Sequence, residues 1–230
     1  MTNFMSNSIF FGAALSLIAY EVGLLLKRKF KMAIFNPLLI SIIAVIAVLC
    51  LLHIDYDTYN QSGQYISYLL TPATVCLAVP LYQQMELLKK NLKAVVIGIV
   101  SGVLASLVSV LILAKLFRLS HEQYVTLLPK SITTAIGMGV SEELGGIVTI
   151  TVAVIIITGV LGNMFAEYIC KLFRIKSPIS RGLAIGTASH AVGTARAMEL
   201  GEVEGAMSSL AIVVCGLCTV IGASIFSYLW

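Results

Sequence analysis

Long apolar runs, with charged residues confined almost entirely to the stretches between them, constrain this chain more than any other feature. Of the 230 residues, 59% are hydrophobic and only 11% are charged, which is too little charge for a soluble domain of this size. The runs are continuous rather than alternating, which favours helices over a β-barrel. We therefore predict an all-α, polytopic membrane protein in which residues 1–230 form a single transmembrane domain.

Three basic clusters orient the predicted helices: Lys27–Lys31, Lys89–Lys93 and Lys171–Arg181. By the positive-inside rule all three are cytoplasmic, which places the N- and C-termini outside. The first run has its positive charges after it, which is typical of a retained first helix. The net charge of +4 is therefore explained by the cytoplasmic loops and does not indicate a nucleic-acid partner.

About six full spans follow from the runs, with approximate bounds 9–26, 35–52, 65–82, 94–117, 147–169 and 206–229. The polar stretch 53–63 is predicted to be an external loop. Pro72 and Pro80 are predicted to interrupt the third span, because each removes a helical hydrogen bond. A face of small residues in the fourth span predicts close helix packing, at Gly98, Gly102, Ala105 and Ser109.

An internal repeat relates two stretches 56 residues apart. Residues 135–147 align on residues 191–203 with five identities in thirteen columns, including the Glu-Leu-Gly that begins at Glu143 and at Glu199. Just before these stretches, Ser131 falls opposite Thr187, and Thr133 opposite Ser189.

Each copy of the repeat begins with a segment that is poorly suited to crossing. Residues 118–124 are predicted outside and the cluster at 171–181 inside, so one full span lies between them, yet two apolar segments are present. The first is short of the roughly 20 residues that a crossing needs. We predict re-entrant hairpins at 125–146, from outside, and at 182–205, from inside. Units 118–173 and 174–230 then form an inverted-topology repeat behind four N-terminal spans in 1–117, as in secondary transporters. The alternative is that both segments cross as broken helices.

Cations and hydroxyls in the two hairpins predict a chamber for a small anion. A charge at membrane depth costs about 2.5–3.5 kcal/mol, so it is kept for pairing or function. The predicted substrate-binding residues are Lys130, Ser131, Thr133, Thr134, Thr187, Ser189, His190, Thr194 and Arg196. Arg196 is predicted to grip a carboxylate in bidentate fashion, and His190 to couple a proton. The alternative is that Lys130 and Arg196 snorkel or pair with glutamates and that His190 bonds between helices. Glu143 and Glu199 are coupling-ion or structural candidates.

Neither metal nor enzyme chemistry is indicated. The five cysteines lie within or at the ends of apolar runs, and Cys215 and Cys218 lack a second Cys or His pair at ligand spacing. Phosphate-binding, zinc-protease and nucleophile-elbow motifs are absent from the sequence. We predict no cofactor and no metal.

Five phrases together resemble the LrgB/CidB (YohK-like) family. They are FNPLL from Phe35, PLY from Pro80, LPKSITT from Leu128, ELGG from Glu143, and RGLAIGTASHAVGTAR from Arg181. The resemblance covers nearly the whole chain. It implies a bacterial inner-membrane protein that works with a smaller LrgA/CidA-type membrane subunit, in a homo- or hetero-oligomer surrounded by lipid.

The resemblance implies two functions from different classes. One is secondary transport of small 2-oxo or 2-hydroxy monocarboxylates such as pyruvate, glycolate or glycerate, which agrees with the predicted chamber. The other is a holin- or antiholin-like modulator of murein hydrolase activity and autolysis. The transporter is the main prediction, because a modulator needs neither an inverted repeat nor a buried cation.

The topology is testable by labelling single cysteines in a cysteine-free background. A cysteine at Ser177 should react only from the cytoplasm, and one at Asp57 only from outside, because four basic residues lie within the eleven positions 171–181. External labelling at Ser177 would mean that the two repeat units are not opposed.

Overall fold

The computed structural model describes residues 10–30, 35–76 and 78–230. Residue 9 of the predicted first span and Lys31 of the first basic cluster lie outside these ranges. Within them the chain is helical, with no β-strand, which confirms the all-α class. The helices are α1 (Phe11–Phe30), α2 (Pro37–Leu51), α3 (Tyr56–Ser67), α4 (Leu70–Cys76), α5 (Ala78–Gln83), α6 (Met85–Lys90), α7 (Leu92–Phe117), α8 (His121–Leu127), α9 (Thr134–Glu143), α10 (Val148–Leu172), α11 (Pro178–Leu200) and α12 (Glu202–Ser227).

The helices fall into two compact units, Met1–Cys76 and Leu77–Trp230, which are described separately. In the first unit α1 packs on α2 and α3. Asn36 begins α2 by accepting hydrogen bonds from the Leu38 and Leu39 backbone N–H groups, and Pro37 occupies the first turn, where its missing N–H costs nothing. The Gly12 N–H donates to Ser62 Oγ of α3 over 2.6 Å.

Three helices in the described ranges are long and apolar enough to cross a membrane: α7, α10 and α12. They correspond to the fourth, fifth and sixth predicted spans. The first falls on α1, whose last turn carries Lys27, Arg28 and Lys29, and the second on α2, an apolar helix of 15 residues. The chain is thus a multi-pass helical membrane protein, while the count of six full spans stays a prediction.

Two expectations for residues 53–82 have different outcomes. The predicted loop at 53–63 is wrong, because residues from Tyr56 onward form α3, an amphipathic polar helix held to α1 by Ser62 and Tyr59. Within the described part of the third span, an interruption is observed at residues 68 and 69, between the end of α3 at Ser67 and the start of α4 at Leu70. Pro72 and Pro80 each lie in the first turn of a short helix, α4 and α5, where proline is tolerated.

In the second unit, α7 lines the main core. One face of it is buried against α8, α11 and α12 at three- and four-residue spacing, at Val95, Ile99, Val103, Leu107, Val110 and Ala114. A Ser120–Gln123 capping box starts α8, and Tyr124 at its centre donates a hydrogen bond of 2.9 Å to the Phe226 carbonyl of α12. These contacts fix the position of the turn that follows α8.

Helix α11 is broken at Ser189 and His190, where the backbone leaves helical geometry and His190 takes a φ of 43°. A β-carbon built on Gly193 would lie 3.1 Å from Ile185 Cγ2, although a straight helix would separate these residues by about 12 Å. The chain therefore doubles back, and we call residues 178–188 the first arm and residues 191–200 the second arm.

Both arms pack on α12 in opposite directions. Along the first arm, Gly182 lies against Glu204 and Gly186 against Ser208, so that arm runs parallel to α12. Along the second arm, Thr194 contacts Ser208 and Met198 contacts Gly205, so that arm runs antiparallel. The turn between the arms lies beside the middle of α12.

The segment from α8 to α9 doubles back in the same manner around residues 128–133. A β-carbon on Gly137 would lie 3.5 Å from the Pro129 carbonyl oxygen. Both α8 and α9 pack on α10, because Thr151 Oγ1 lies 2.9 Å from the Thr126 carbonyl oxygen and 2.7 Å from Ser141 Oγ. Each doubled-back segment is therefore packed on the long helix that follows it.

Glycine at the arm–α12 contact is testable. In Gly186→Ala the new methyl would lie 2.4 Å from the Ser208 carbonyl oxygen, and the backbone cannot move aside as a side chain can. We expect a destabilisation of about 1–3 kcal/mol, measured as a lower unfolding temperature of the purified protein in detergent.

The matched control is Gly139→Ala, since a β-carbon there has nothing within 4 Å and alanine is the better helix former. Its unfolding temperature should be unchanged or higher. Equal stability of the two variants would contradict the packing described here.

Candidate functional site

A cleft of about 320 Å³ lies between α7, the turn after α8 and the first arm of α11. Small residues form its walls, and hydroxyls and one cation are the polar groups on them. The lining residues are Gly102, Ala105, Ser106, Ser109, Lys130, Ser131, Ala184, Thr187 and Ala188. The volume is at the small end for ligand sites, which fits a small molecule.

The position of Lys130 follows from the turn that holds it. The Lys130 N–H donates to the Leu127 carbonyl at the end of α8, and Pro129 just before it ends the helix. Its ammonium donates to Ser131 Oγ over 3.1 Å, and no carboxylate of the described residues lies within ion-pair distance of it. A partly buried cation without a counter-ion favours an anion in the cleft.

The hydroxyls beside Lys130 add to this donor character. Ser131 Oγ lies 3.2 Å from Ser106 Oγ of α7. Because an ammonium only donates, Ser131 accepts from Lys130 and its own proton is free to reach Ser106. The ammonium keeps two further protons, and Ser106 keeps one, so the cluster presents donors rather than acceptors.

Thr187 faces this cluster from the first arm. It is 7% exposed, and its Oγ1 is the buried side-chain oxygen that lacks a hydrogen-bond partner within the described ranges. A β-carbon on Gly102 would lie only 2.7 Å from the Thr187 methyl, Cγ2. The first arm can therefore pack this close to α7 only because Gly102 has no side chain. An unsatisfied buried hydroxyl costs about 1–3 kcal/mol, which a ligand or water would recover.

The other predicted residues of the second hairpin satisfy the backbone of the turn rather than line the cleft. Ser189 Oγ donates to the Ile185 carbonyl, and Thr194 Oγ1 to the His190 carbonyl over 2.9 Å. His190 Nε2 lies 3.0 Å from the Ile155 carbonyl oxygen, so this nitrogen carries the proton. The side chain of Asn163 donates to the Val192 carbonyl. The predicted proton coupling through His190 is not tested by these contacts.

Arg196 lies away from the cleft, in an ion-pair cluster. Its guanidinium bonds Glu167 of α10 and Glu199 of its own arm, and Glu167 also contacts Lys171. These contacts correspond to the structural alternative for Arg196 and for Glu199. They do not test the predicted contact with a substrate carboxylate, although each of the two terminal nitrogens of the guanidinium already bonds a glutamate.

The remaining predicted residues lie at the ends of α9. Thr133 is the residue before the helix and makes no capping bond, Thr134 is the first helical residue, and both are partly buried. Glu143 is exposed at the other end of α9. None of the three lines the cleft. Among the described residues, no group of three His, Cys, Asp or Glu side chains is placed to hold a metal ion.

Sequence reasoning missed the contributions of α7 and of two alanines on the first arm of α11. Ser106 and the alanines Ala184 and Ala188 were not among the predicted site residues, yet they form much of the cleft. The signal was present, since Gly102, Ala105 and Ser109 belong to the small-residue face predicted for helix packing. That face packs on the first arm, as Gly98 against Leu183 and Gly102 against Thr187 show.

The fold and the cleft define a class: a multi-pass helical membrane protein with two doubled-back segments and a cation-bearing cleft beside them. A family model described as the LrgB-like family matches residues 16–229. The chain belongs to this family. It is 40% identical over 218 residues to proteins named "Antiholin-like protein LrgB" from Bacillus mycoides (strain KBAB4), Bacillus cereus (strain B4264) and Bacillus anthracis (strain CDC 684 / NRRL 3495). The alignments cover 94% of this chain and 95% of each relative. No solved structure matches the chain.

The role of Arg196 is testable through stability. Arg196→Gln leaves Glu167 and Glu199 without their shared cation, and the side chain is only 27% exposed, so we expect a loss of about 1–2 kcal/mol in the free energy of unfolding. Glu167→Gln should cost less in that background than in the wild type, because the pair is already broken.

Lys171→Gln is the matched control, since this lysine is 75% exposed and its surface ion pair contributes little. An Arg196→Gln protein of unchanged stability whose apparent KM for a monocarboxylate rises tenfold would return Arg196 to the ligand role predicted from the sequence.

Proposed function

We propose that this protein is a secondary transporter of small 2-oxo or 2-hydroxy monocarboxylates, with the anion bound in the cleft at Lys130. The observation that carries the proposal is the partly buried Lys130 ammonium, which has hydroxyl neighbours and no carboxylate partner among the described residues. Such a site attracts a small anion. In this proposal Lys130 takes the anchoring role that the sequence assigned to Arg196.

The proposal includes an inverted-topology repeat of re-entrant hairpins. Matching columns meet in the two hairpins: Pro129 with Gly137, and 56 positions later Ile185 with Gly193. Thr126 likewise contacts Thr151, and Gly182 contacts Met207. These equivalent contacts support one hairpin-and-helix unit used twice.

The directions of the helices support opposed units. The second arm runs parallel to α10, since Asn163 contacts Val192 and Glu167 contacts Arg196. The same arm runs antiparallel to α12, so α10 and α12 point in opposite directions. This is the arrangement in which transporters bind substrate between their repeats.

The proposed setting is a bacterial inner membrane with six full spans and both termini outside. A smaller LrgA/CidA-type membrane subunit is the proposed partner, in a homo- or hetero-oligomer. The protein is proposed to act without a cofactor and without enzymatic chemistry.

A second function is supported by the names of the relatives. The relatives are called antiholin-like, and a modulator of murein hydrolase activity and autolysis fits those names better than a transporter does. The cleft favours transport, because a protein that acts by permeabilising or by assembly needs no selective anion site.

Proteoliposomes separate the two functions. A transporter should take up labelled pyruvate saturably while the vesicles retain an entrapped dye. Dye release, or an absence of pyruvate uptake together with altered autolysis of cells that express the protein, would favour the modulator.

The anion site is testable at Lys130. Lys130→Met removes one charge-assisted contact, so the apparent KM for pyruvate should rise about ten- to a hundredfold, measured as initial uptake rates in proteoliposomes. Lys130→Arg keeps the charge and should be affected less. The control is Lys93→Gln, an exposed lysine in the first turn of α7. An unchanged KM in Lys130→Met would place the anion elsewhere.

A further inference from the structure

We infer that Thr187 is a specificity-determining residue whose hydroxyl binds a second oxygen of the anion held by Lys130. The inference rests on the proposed anion site and goes beyond it, because it separates the group that binds the carboxylate from the group that recognises the rest of the molecule. It predicts that one hydroxyl decides between acids that differ in a single oxygen.

The first support is the hydrogen bonding of the lining hydroxyls. Ser131 and Ser106 engage Lys130 and each other, and Ser109 Oγ donates to the Ser106 carbonyl over 2.7 Å. Thr187 Oγ1 is the remaining lining hydroxyl, and it has no partner within the described part of the chain. A molecule bound in the cleft would complete the hydrogen bonding of this hydroxyl.

The second support is that Thr187 and Lys130 line the same cleft from different segments. Lys130 and Ser131 belong to the first hairpin and Thr187 to the first arm of the second, so the cleft is bounded by both. Thr187 occupies the column that matches Ser131, 56 residues on, whereas the column of Lys130 holds Gly186. One wall therefore offers a charge with a hydroxyl, and the other a hydroxyl alone.

This asymmetry fixes the orientation of a bound acid. The carboxylate lies at Lys130, where the charge is, and the neighbouring carbon faces Thr187. A threonine hydroxyl both donates and accepts, so it pairs with a carbonyl or a hydroxyl on that carbon but not with a methylene. The unsubstituted acid would leave Oγ1 without a partner, and a site of that kind discriminates against the analogue that lacks the oxygen.

The backbone around Thr187 holds it in place. Gly102 allows the Thr187 methyl to approach α7, and the Thr187 carbonyl accepts a hydrogen bond of 3.7 Å from Cys215 Sγ of α12. The hydroxyl is thus carried by a buried, packed segment rather than by a loose loop, as recognition of one oxygen requires.

The experiment compares pyruvate with propionate, its analogue without the 2-oxygen, as labelled substrates in proteoliposomes. Thr187→Val keeps the shape of the side chain and removes its hydroxyl. The KM for propionate divided by the KM for pyruvate should therefore fall about three- to tenfold, towards one. Thr187→Ser restores a hydroxyl and should recover the discrimination. Thr149→Val, at an exposed threonine of α10, should leave both KM values unchanged.

Each outcome decides. A wild-type protein that prefers pyruvate, with the preference lost in Thr187→Val and regained in Thr187→Ser, supports the inference. A Thr187→Val protein that keeps the wild-type ratio overturns it while the proposed transport stands. A wild-type protein that carries neither acid above protein-free vesicles overturns both. If Thr187→Val does not fold, Thr187→Ser becomes the test. The inference then requires that Thr187→Ser show the wild-type ratio of the propionate KM to the pyruvate KM.

Discussion

The second unit depends on hydrogen-bond partners for the backbone carbonyls at the break in α11, which lies where water cannot supply them. Breaking α11 at Ser189 and His190 frees carbonyl groups that would otherwise accept the next turn's N–H groups, and each unsatisfied group at membrane depth is costly. Side chains supply the partners: Ser189 bonds the Ile185 carbonyl, Thr194 the His190 carbonyl, and Asn163 the Val192 carbonyl. The hydroxyl-rich sequence around this turn is therefore first a requirement of the fold. Several residues of the expected anion chamber thus satisfy the backbone of this turn.

Small residues convert this turn into a site. Because Gly182 and Gly186 admit α12 and Gly102 admits Thr187, the first arm lies close to both long helices, and its alanines leave space on the side that faces the first hairpin. The cleft is thus the space that remains between α7, the turn after α8 and the first arm of α11, beside the positions where glycines let these segments pack closely. Lys130 lies there because Pro129 ends α8 just before it. Packing and chemistry are set by the same residues, which ties the size of any ligand to the fold itself.

Sequence reasoning reached the class of protein, the break near the prolines and the small-residue face of α7, because each of these depends on local or periodic features. It did not reach features whose deciding contact is distant in sequence. Helix α3 looks like a polar loop until its contact with Gly12 of α1 is known. One of the two carboxylate partners of Arg196, Glu167, is 29 residues away in an apolar run, whereas the other, Glu199, is three residues away. The place of Ser106 beside Lys130 becomes evident only from its hydrogen bond with Ser131, 25 residues away. Composition and periodicity carry no record of such pairings.

The order of synthesis gives the packing of α11 a further consequence. A ribosome makes both arms before it makes α12, the helix against which their glycines close. Until α12 enters the bilayer, Gly182 and Gly186 of the first arm lack the helix against which they pack, although α7 and α10 are already present to contact the two arms. Helix α12 therefore completes the packing of the segment before it, and the second unit is not fully packed until α12 has been made.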